Sequence, residues 1–465
     1  MTLTKNEDNL APSFFTKKIP DELSTAVHTN EVQFVCRTKV IDITTAEILQ
    51  ALESDFPERK IEEQTVMSQE DMRFLQIMEN NIHQDENGYY EMPLPFKTDR
   101  PCLPNNKQMA EKRLWCLKKR FQRDQKYFED YKKFMNDVLA HGDAEEVDEM
   151  ETSFRWYIPH HGVYHPKKNK IRVVFDCSAQ HQETSLNEHL LQGPDLMNSL
   201  IGVLYRFREK PVAFISDIER MFHQFRVRTE DRNYLSFLWW KDGNIEDNPT
   251  TYRMKVHLFD AASSPGCAIY GLKKLAKDHG REVSDEVVKF LTHDFYVDDG
   301  LRSCDTTEQA INLIEEARTV CSKGNIRLHK FLSNNQEVTE SIPQTERVKD
   351  ATSLDLSFSE LPVERVLGVQ WCVESDQFRF RLTVSEKPFT RRGILSTVAS
   401  IYDPLGCLAP FILLGKLILQ HMCKENCKWD QSLSKELTPQ WERWLLELPK
   451  FEKLEIPRCY VHSVQ

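Results

Sequence analysis

Twelve cysteines are spread over 465 residues without one C-x-x-C pair. The tightest spacing, Cys423 to Cys427, has no partners at zinc-finger intervals, so a structural zinc site is excluded and reduced, mostly buried thiols in a cytosolic or nuclear compartment are expected. His160, His161 and His165 lack an acidic or thiolate neighbour at a metal-ligand interval, which leaves packing or substrate-side contacts as their reading. Long apolar runs are missing as well. The most apolar stretch, 404–419, is broken by prolines, glycines and Lys416, so it reads as a buried helix and not a membrane span. The opening residues MTLTKNEDNLAPS lack the apolar centre of a signal peptide, and neither D-T-G nor D-S-G, the aspartic-protease signature, occurs. There are no internal repeats. Positive charge is also in deficit: 61 Lys and Arg face 72 Asp and Glu, a net charge of −11 that opposes phosphate binding by the chain as a whole.

What is present is a composition of 40% hydrophobic and 29% charged residues, that of a soluble globular protein long enough for two to four subdomains. The charge is uneven. Residues 107–133 hold ten Lys and Arg against four acids, with Leu114, Leu117, Phe121, Tyr127 and Phe128 at helical spacing. Such a basic amphipathic helix suits phosphates, and equally suits a solvated helical face. Acidic clusters at 142–151 and 335–360 supply much of the negative balance and are expected away from any nucleic-acid cleft.

Two acidic segments carry the most information. In FISDIERMFHQ, Asp217 closes a short apolar run, Val212 to Ile215, that reads as a buried strand. In FYVDDG, Asp298 and Asp299 precede Gly300, and Asp299-Gly300 signals a hairpin turn. Successive side chains on a strand alternate, so only one of the pair can face Asp217 if the two strands are neighbours. Carboxylates gathered that way call for a divalent cation, and hard oxygen donors favour Mg2+. Taken singly, each segment is as well explained by a turn with solvated acids or by a helix cap.

The chain resembles the reverse transcriptase region of BEL/Pao-class LTR retrotransposon polyproteins. The resemblance rests on WYIPHHGVYHP, KIRVVFDCSA, SLNEHLLQGPDL, LIGVLYRFR, FISDIERMFHQ, HLFDAASSPGCA, FYVDDGL, LHKFLSN and RVLGVQW, in that order. Downstream, RRGILSTVASIYDPLGCLAPFIL resembles the segment that follows the polymerase in such elements, and DENGYYEMPLPFK resembles the region before it. The resemblance implies an α+β right-hand polymerase: fingers over 151–212, a palm with antiparallel sheet over 213–375, and a helical thumb/connection over 376–465. A basic helical segment at 106–150 and an irregular N-terminal segment at 1–105, with one helix near 44–56, precede them.

The same resemblance implies RNA-directed DNA polymerisation from dNTPs on an RNA or DNA template-primer. Asp217 and Asp298 would ligate two Mg2+, with Asp299 the second acid of the motif. Arg172, with Lys170 and Lys168 as weaker candidates, would clamp the triphosphate; Lys167, Lys168 and Lys170 also suit a solvated turn. Phe222 would pack beneath the incoming sugar and exclude a 2′-hydroxyl, Phe259 would line the nucleotide pocket, Leu367-Gly368 would form the primer grip, and Lys330 would protonate pyrophosphate. One departure stands out: Asp260 occupies a position where the family commonly has glycine, so a carboxylate would repel the triphosphate and strain the backbone. The alternative is a catalytically impaired relic that at most binds nucleic acid. No acidic set resembling RNase H and no HHCC pattern is found, so a polyprotein fragment or truncated copy is expected, in the cytoplasm or a retroelement particle, or in the nucleus.

Overall fold

A computed structural model describes residues 67–147, 154–164, 170–348, 353–355, 367–382 and 387–460, all within one unit, Glu63–Gln465. The helix expected near 44–56, together with His165, Lys167 and Lys168, lies outside the described residues.

Local capping chemistry sets the first elements. The Ser68 hydroxyl accepts the Asp71 amide and starts α1 (Gln69–Asn81), which the hairpin β1 (His83–Gln84) and β2 (Tyr90–Met92) follows. Phe74 and Met78 of α1 are fully buried, so the segment expected to be irregular as far as residue 105 is in fact folded from α1 onward. The basic stretch makes two helices, α2 (Lys107–Arg123) and α3 (Gln125–Ala140), because Asp124 leaves the helical region and its carboxylate caps α3 through the Tyr127 amide. Next come β3 (Ala144–Glu146) and the hairpin β4 (His160–Tyr164) with β5 (Ile171–Phe175). Where only strands and loops were expected, LIGVLYRF forms α4 (Leu200–Phe207).

The central strand β6 (Val212–Ile218) is followed by β7 (Arg226–Val227), β8 (Ser236–Trp239), β9 (Thr250–Met254), α5 (Ser264–His279) and α6 (Asp285–His293). Then come β10 (Phe295–Tyr296), β11 (Asp299–Cys304), α7 (Thr307–Lys323) and β12 (Leu328–Ser333). Thr306 caps α7 in place of the expected Asp305, whose amide instead bonds Gln309. The C-terminal part contains β13 (Ser353–Asp355), the expected hairpin β14 (Leu367–Cys372) and β15 (Gln377–Leu382), three helices α8 (Arg391–Ala399), α9 (Ala409–Lys424) and α10 (Thr438–Glu447), and β16 (Glu455–Pro457).

The class is α+β, and three apolar cores hold it together. In the first, α2 and α3 lay Leu114, Leu117, Phe121, Tyr127 and Tyr131 against β4, β5, β8 and β9, with Trp239 and Trp240 at the contact. The antiparallel sheet β10-β11-β6-β12 divides the other two. From β6, Phe214 and Ile218 enter the second core with α1, α5, α6 and α7, while Ala213 and Ile215 enter the third. That third core joins α4 to Trp371, Phe378, Phe380, Trp441 and Trp444. Period-two alternation along one strand therefore welds both cores to it.

Arg458, which follows β16, is wholly buried: it donates to the Phe207 and Pro211 carbonyls and pairs with Asp376. The expected buried helix at 404–419 is only partly so. On α9, Gly415, Ile418 and Met422 are covered, but Leu413, Leu414 and Leu417 are about half exposed. No helix among the described residues is long and apolar enough to cross a membrane.

Two buried histidines give the fold an acid-sensitive side. His160 donates from Nε2 to the Leu238 carbonyl (2.8 Å) and accepts at Nδ1 from the Tyr131 hydroxyl (2.5 Å), and burial pushes its pKa down to about 4. His257 is fully buried with neither ring nitrogen hydrogen-bonded, and burial pushes it down to about 3. Both stay neutral in the fold while an unfolded histidine takes up a proton near 6.5, so their contribution is complete above that pH and is lost as pH falls toward 4. The unfolding midpoint is expected to drop between pH 7 and pH 4.5. His257→Leu, which removes unpaired buried nitrogens, should raise the midpoint and flatten the drop. A midpoint insensitive to pH over that interval, read by thermal melts, would contradict the assignment.

Candidate functional site

In the β6–β11 ladder, Ile215 stands opposite Leu301 and Asp217 opposite Asp299. Directly opposed residues on antiparallel strands share a face. The pairing that sends Ile215 and Leu301 into the third core therefore brings two carboxylates together one step further along, where both residues are partly exposed. Tyr296 pairs with Asp299, which leaves Val297 and Asp298 as the turn. Asp299-Gly300, expected to form that turn, instead opens β11. Its glycine is required because a Cβ at Gly300 would meet the Phe295 ring at 2.6 Å. The Asp298 carbonyl accepts the Ile218 amide (2.9 Å), which folds the turn onto the end of β6. The backbone thus sets Asp217, Asp298 and Asp299 at one end of the sheet.

On the other side of β6, Asp217 is paired in register with His329, and the register then shifts through a bulge. Lys330 adopts a left-handed φ of 51° there. Consecutive strand residues normally point to opposite faces, but the bulge re-aims one of them. His329 Nε2 donates to Asp217 Oδ1 (2.7 Å) and Lys330 Nζ to Oδ2 (2.6 Å). Burial raises the Asp217 carboxyl, but these two hydrogen bonds and their charges outweigh it and hold the group below its usual pKa. Among the described residues no group of three or more His, Cys, Asp or Glu side chains is gathered as a metal cage. The oxygen donors of Asp217 and Asp299 suit Mg2+ chemically, and a cation arriving at Asp217 would take the place of the Lys330 ammonium.

The loop after β6 is fixed from a distance. Arg220, with φ 50°, and His223 both reach the buried Asp143 carboxylate, His223 Nδ1 at 3.0 Å. Burial raises Asp143, and its bonds to His223 and the charges of Arg220 and Arg226 carry it below the ordinary carboxylate value. The acidic cluster starting at 142, expected away from the cleft, thus sends one member directly against the loop behind Asp217, because the guanidinium needs a counter-charge. Between these anchors the short helical turn Met221–Gln224 presents Phe222, whose ring meets Phe259 edge-on at 5.6 Å. Phe259 is 62% exposed.

Asp260 behaves differently from expectation. Its φ is not among the left-handed ones, so no glycine is needed for backbone reasons. Its carboxylate accepts the Cys177 amide (2.9 Å), and Asn187 clasps the same loop through the Asp260 carbonyl and the Ala262 amide. Burial, opposed by the Cys177 bond, leaves its pKa raised. The side chain acts as a brace between the Phe259 loop and the end of β5. Arg172 and Lys170 are exposed on and beside β5. Contacts therefore run from the end of β5 through Asp260 and Phe259 to Phe222, five residues after Asp217 in the chain. Leu367 and Gly368 open β14, paired with Leu382 and Arg381 in a different sheet from Asp217.

His329 and Asp143 are the site residues that sequence reading misses. Only its place beside Lys330 in LHKF marks His329, and nothing local distinguishes Asp143 from its acidic neighbours. Asp143→Ala is expected to cost about 2 kcal/mol, since it strands the part-buried Arg220. Asp260→Ala should cost about 1–3 kcal/mol, because it leaves the Cys177 amide unpaired. Urea titrations measure both, and a stabilised Asp260→Ala would exclude the bracing role.

Compared with known proteins, residues 390–465 match the family model described as the Pao retrotransposon-like RNaseH-like domain. No curated protein matches the chain. Among solved structures, the chain is similar to a foamy viral protease-reverse transcriptase in complex with double-stranded DNA, at 14% identity and a TM-score of 0.43, over 68% of this chain and 46% of that one. The chain thus spans less than half the length of that structure. The matched description is RNaseH-like, whereas a thumb/connection region without any RNase H set was expected there; the C-terminal residues are tied to a retroelement domain.

Proposed function

We propose that the chain is an RNA-directed DNA polymerase of a BEL/Pao-class retroelement. The observation that carries this reading is the direct opposition of Asp217 and Asp299, with Asp298 in the adjoining turn. In a right-hand layout, the first core corresponds to fingers, the sheet with the second core to palm, and the C-terminal helices to a thumb or connection. Asp217 and the 298–299 pair would hold two Mg2+, which when bound supply Lewis-acid activation of a primer hydroxyl and neutralise charge on a triphosphate. The remaining work falls to this chain's own groups. Arg172 is offered to phosphate oxygens, and the paired rings of Phe222 and Phe259 wall the sugar position. Lys330, already a donor beside Asp217, would hand a proton to a leaving pyrophosphate. Template-primer and dNTPs are the substrates this assigns.

The bond pattern at Asp217 favours a second reading, an impaired relic, because both carboxylate oxygens are occupied by His329 and Lys330. Mg2+-dependent dNTP incorporation on a primed RNA template separates the two. Under the polymerase reading, Asp217→Asn should lower incorporation by at least about a thousandfold, as loss of transition-state charge stabilisation costs on the order of 4 kcal/mol or more. Parental rates in that variant would remove Asp217 from the chemistry, and an inert wild type would favour the relic. Phe222→Val should admit rNTPs; an unchanged dNTP/rNTP ratio rules out the gate.

A further inference from the structure

We propose that the outer face of α2 is a docking surface for single-stranded nucleic acid, which under the polymerase reading is the template strand. One side of α2 buries Ala110, Leu114, Leu117 and Phe121. Directly opposite, Lys112, Lys119 and Arg123 stand exposed at spacings of seven and four residues, with Trp115 and Cys116 beside them. At the helical rise, this row of positive charge is about 16 Å long. It runs against the net charge of −11 carried by the chain, so attraction for a polyanion has to come from local clusters such as this stripe. Trp115 is 43% exposed, and Trp240 holds it edge-on at 6.5 Å. An exposed indole on a well-packed helix is therefore fixed in place amid cations.

Charge alone would suit any nucleic acid. The ring selects for an unpaired base, because stacking requires a free base face and a duplex conceals its own. The surface also belongs to the same body as the nucleotide-side candidates: Arg113 pairs with Asp176 at 2.8 Å, and Asp176 directly follows β5, the strand of Arg172.

The test uses the full chain without Mg2+ or dNTP, so its outcome is independent of polymerase chemistry. Fluorescein-labelled oligo(U) is titrated by anisotropy at several salt concentrations. Replacing Lys112, Lys119 and Arg123 by Gln together should weaken binding at low salt by about tenfold or more, and should flatten the log K against log salt slope by about 2, from three contacts at about 0.7 each. Trp115→Ala should weaken binding roughly fivefold to a hundredfold with the slope unchanged. In the wild type, the strand should slow maleimide labelling of Cys116 but not of Cys102, which is also exposed. Wild-type affinity and slope in the triple variant, with Cys116 unprotected, would overturn the proposal and leave a merely solvated face. A duplex of the same length binding as tightly as the single strand would overturn the choice of ligand. These substitutions lie on the exposed side, and melting curves confirm that the variants are folded. A chain that shows these binding changes but never incorporates dNTP overturns the polymerase reading alone.

Discussion

Hydrophobic burial on both faces of β6 is the constraint on which the site depends. Ala213 and Ile215 must enter one core and Phe214 and Ile218 the other, so a slip of one residue would turn every apolar side chain the wrong way. With the register fixed that firmly, Asp217 has no choice of neighbour: Asp299 is opposite on one side and His329 on the other. Two opposed carboxylates repel one another, and the cores on either side offset that cost. The Lys330 ammonium and His329 imidazole at Asp217 relieve part of it directly.

Of the nine non-glycine residues with a left-handed φ among the described residues, three lie around the same point. Arg220 just beyond β6, Val297 in the adjoining turn and Lys330 in the neighbouring bulge all carry left-handed φ angles of 50° to 58°. For a β-branched residue such as Val297 that conformation is especially unfavourable. Residues in such positions persist only where the surroundings over-determine them, and such strain clusters at functional sites. Here the surroundings can be named: Asp143 holds Arg220, the Asp298 carbonyl locks the turn to Ile218, and Asp217 receives Lys330.

Features governed by local sequence were legible in advance. The apolar run into Asp217, the amphipathic stripe of α7, the alternation of Phe378 and Phe380 and the three C-terminal helices all follow from spacing alone. What escaped depends on contacts remote in the chain. Gly300 looks like a turn glycine until the ring of Phe295 is seen against it. Asp260 looks like an intruding charge until the Cys177 amide is found on it. The acids after 142 look like solvated surface, since nothing nearby announces Arg220. A bulge leaves no trace in composition, so the joint aim of His329 and Lys330 at one carboxylate was beyond reach as well.

The burial of Arg458 bears on how the protein can be divided. Its guanidinium plugs the carbonyls of Phe207 and Pro211, immediately ahead of β6, although it lies within the C-terminal stretch matched to a retroelement domain. Cutting the chain upstream of that arginine would uncap the very residues that lead into the acidic strand. The two regions are therefore not beads on a string: excising the first as a minimal fragment would open its foundation to water.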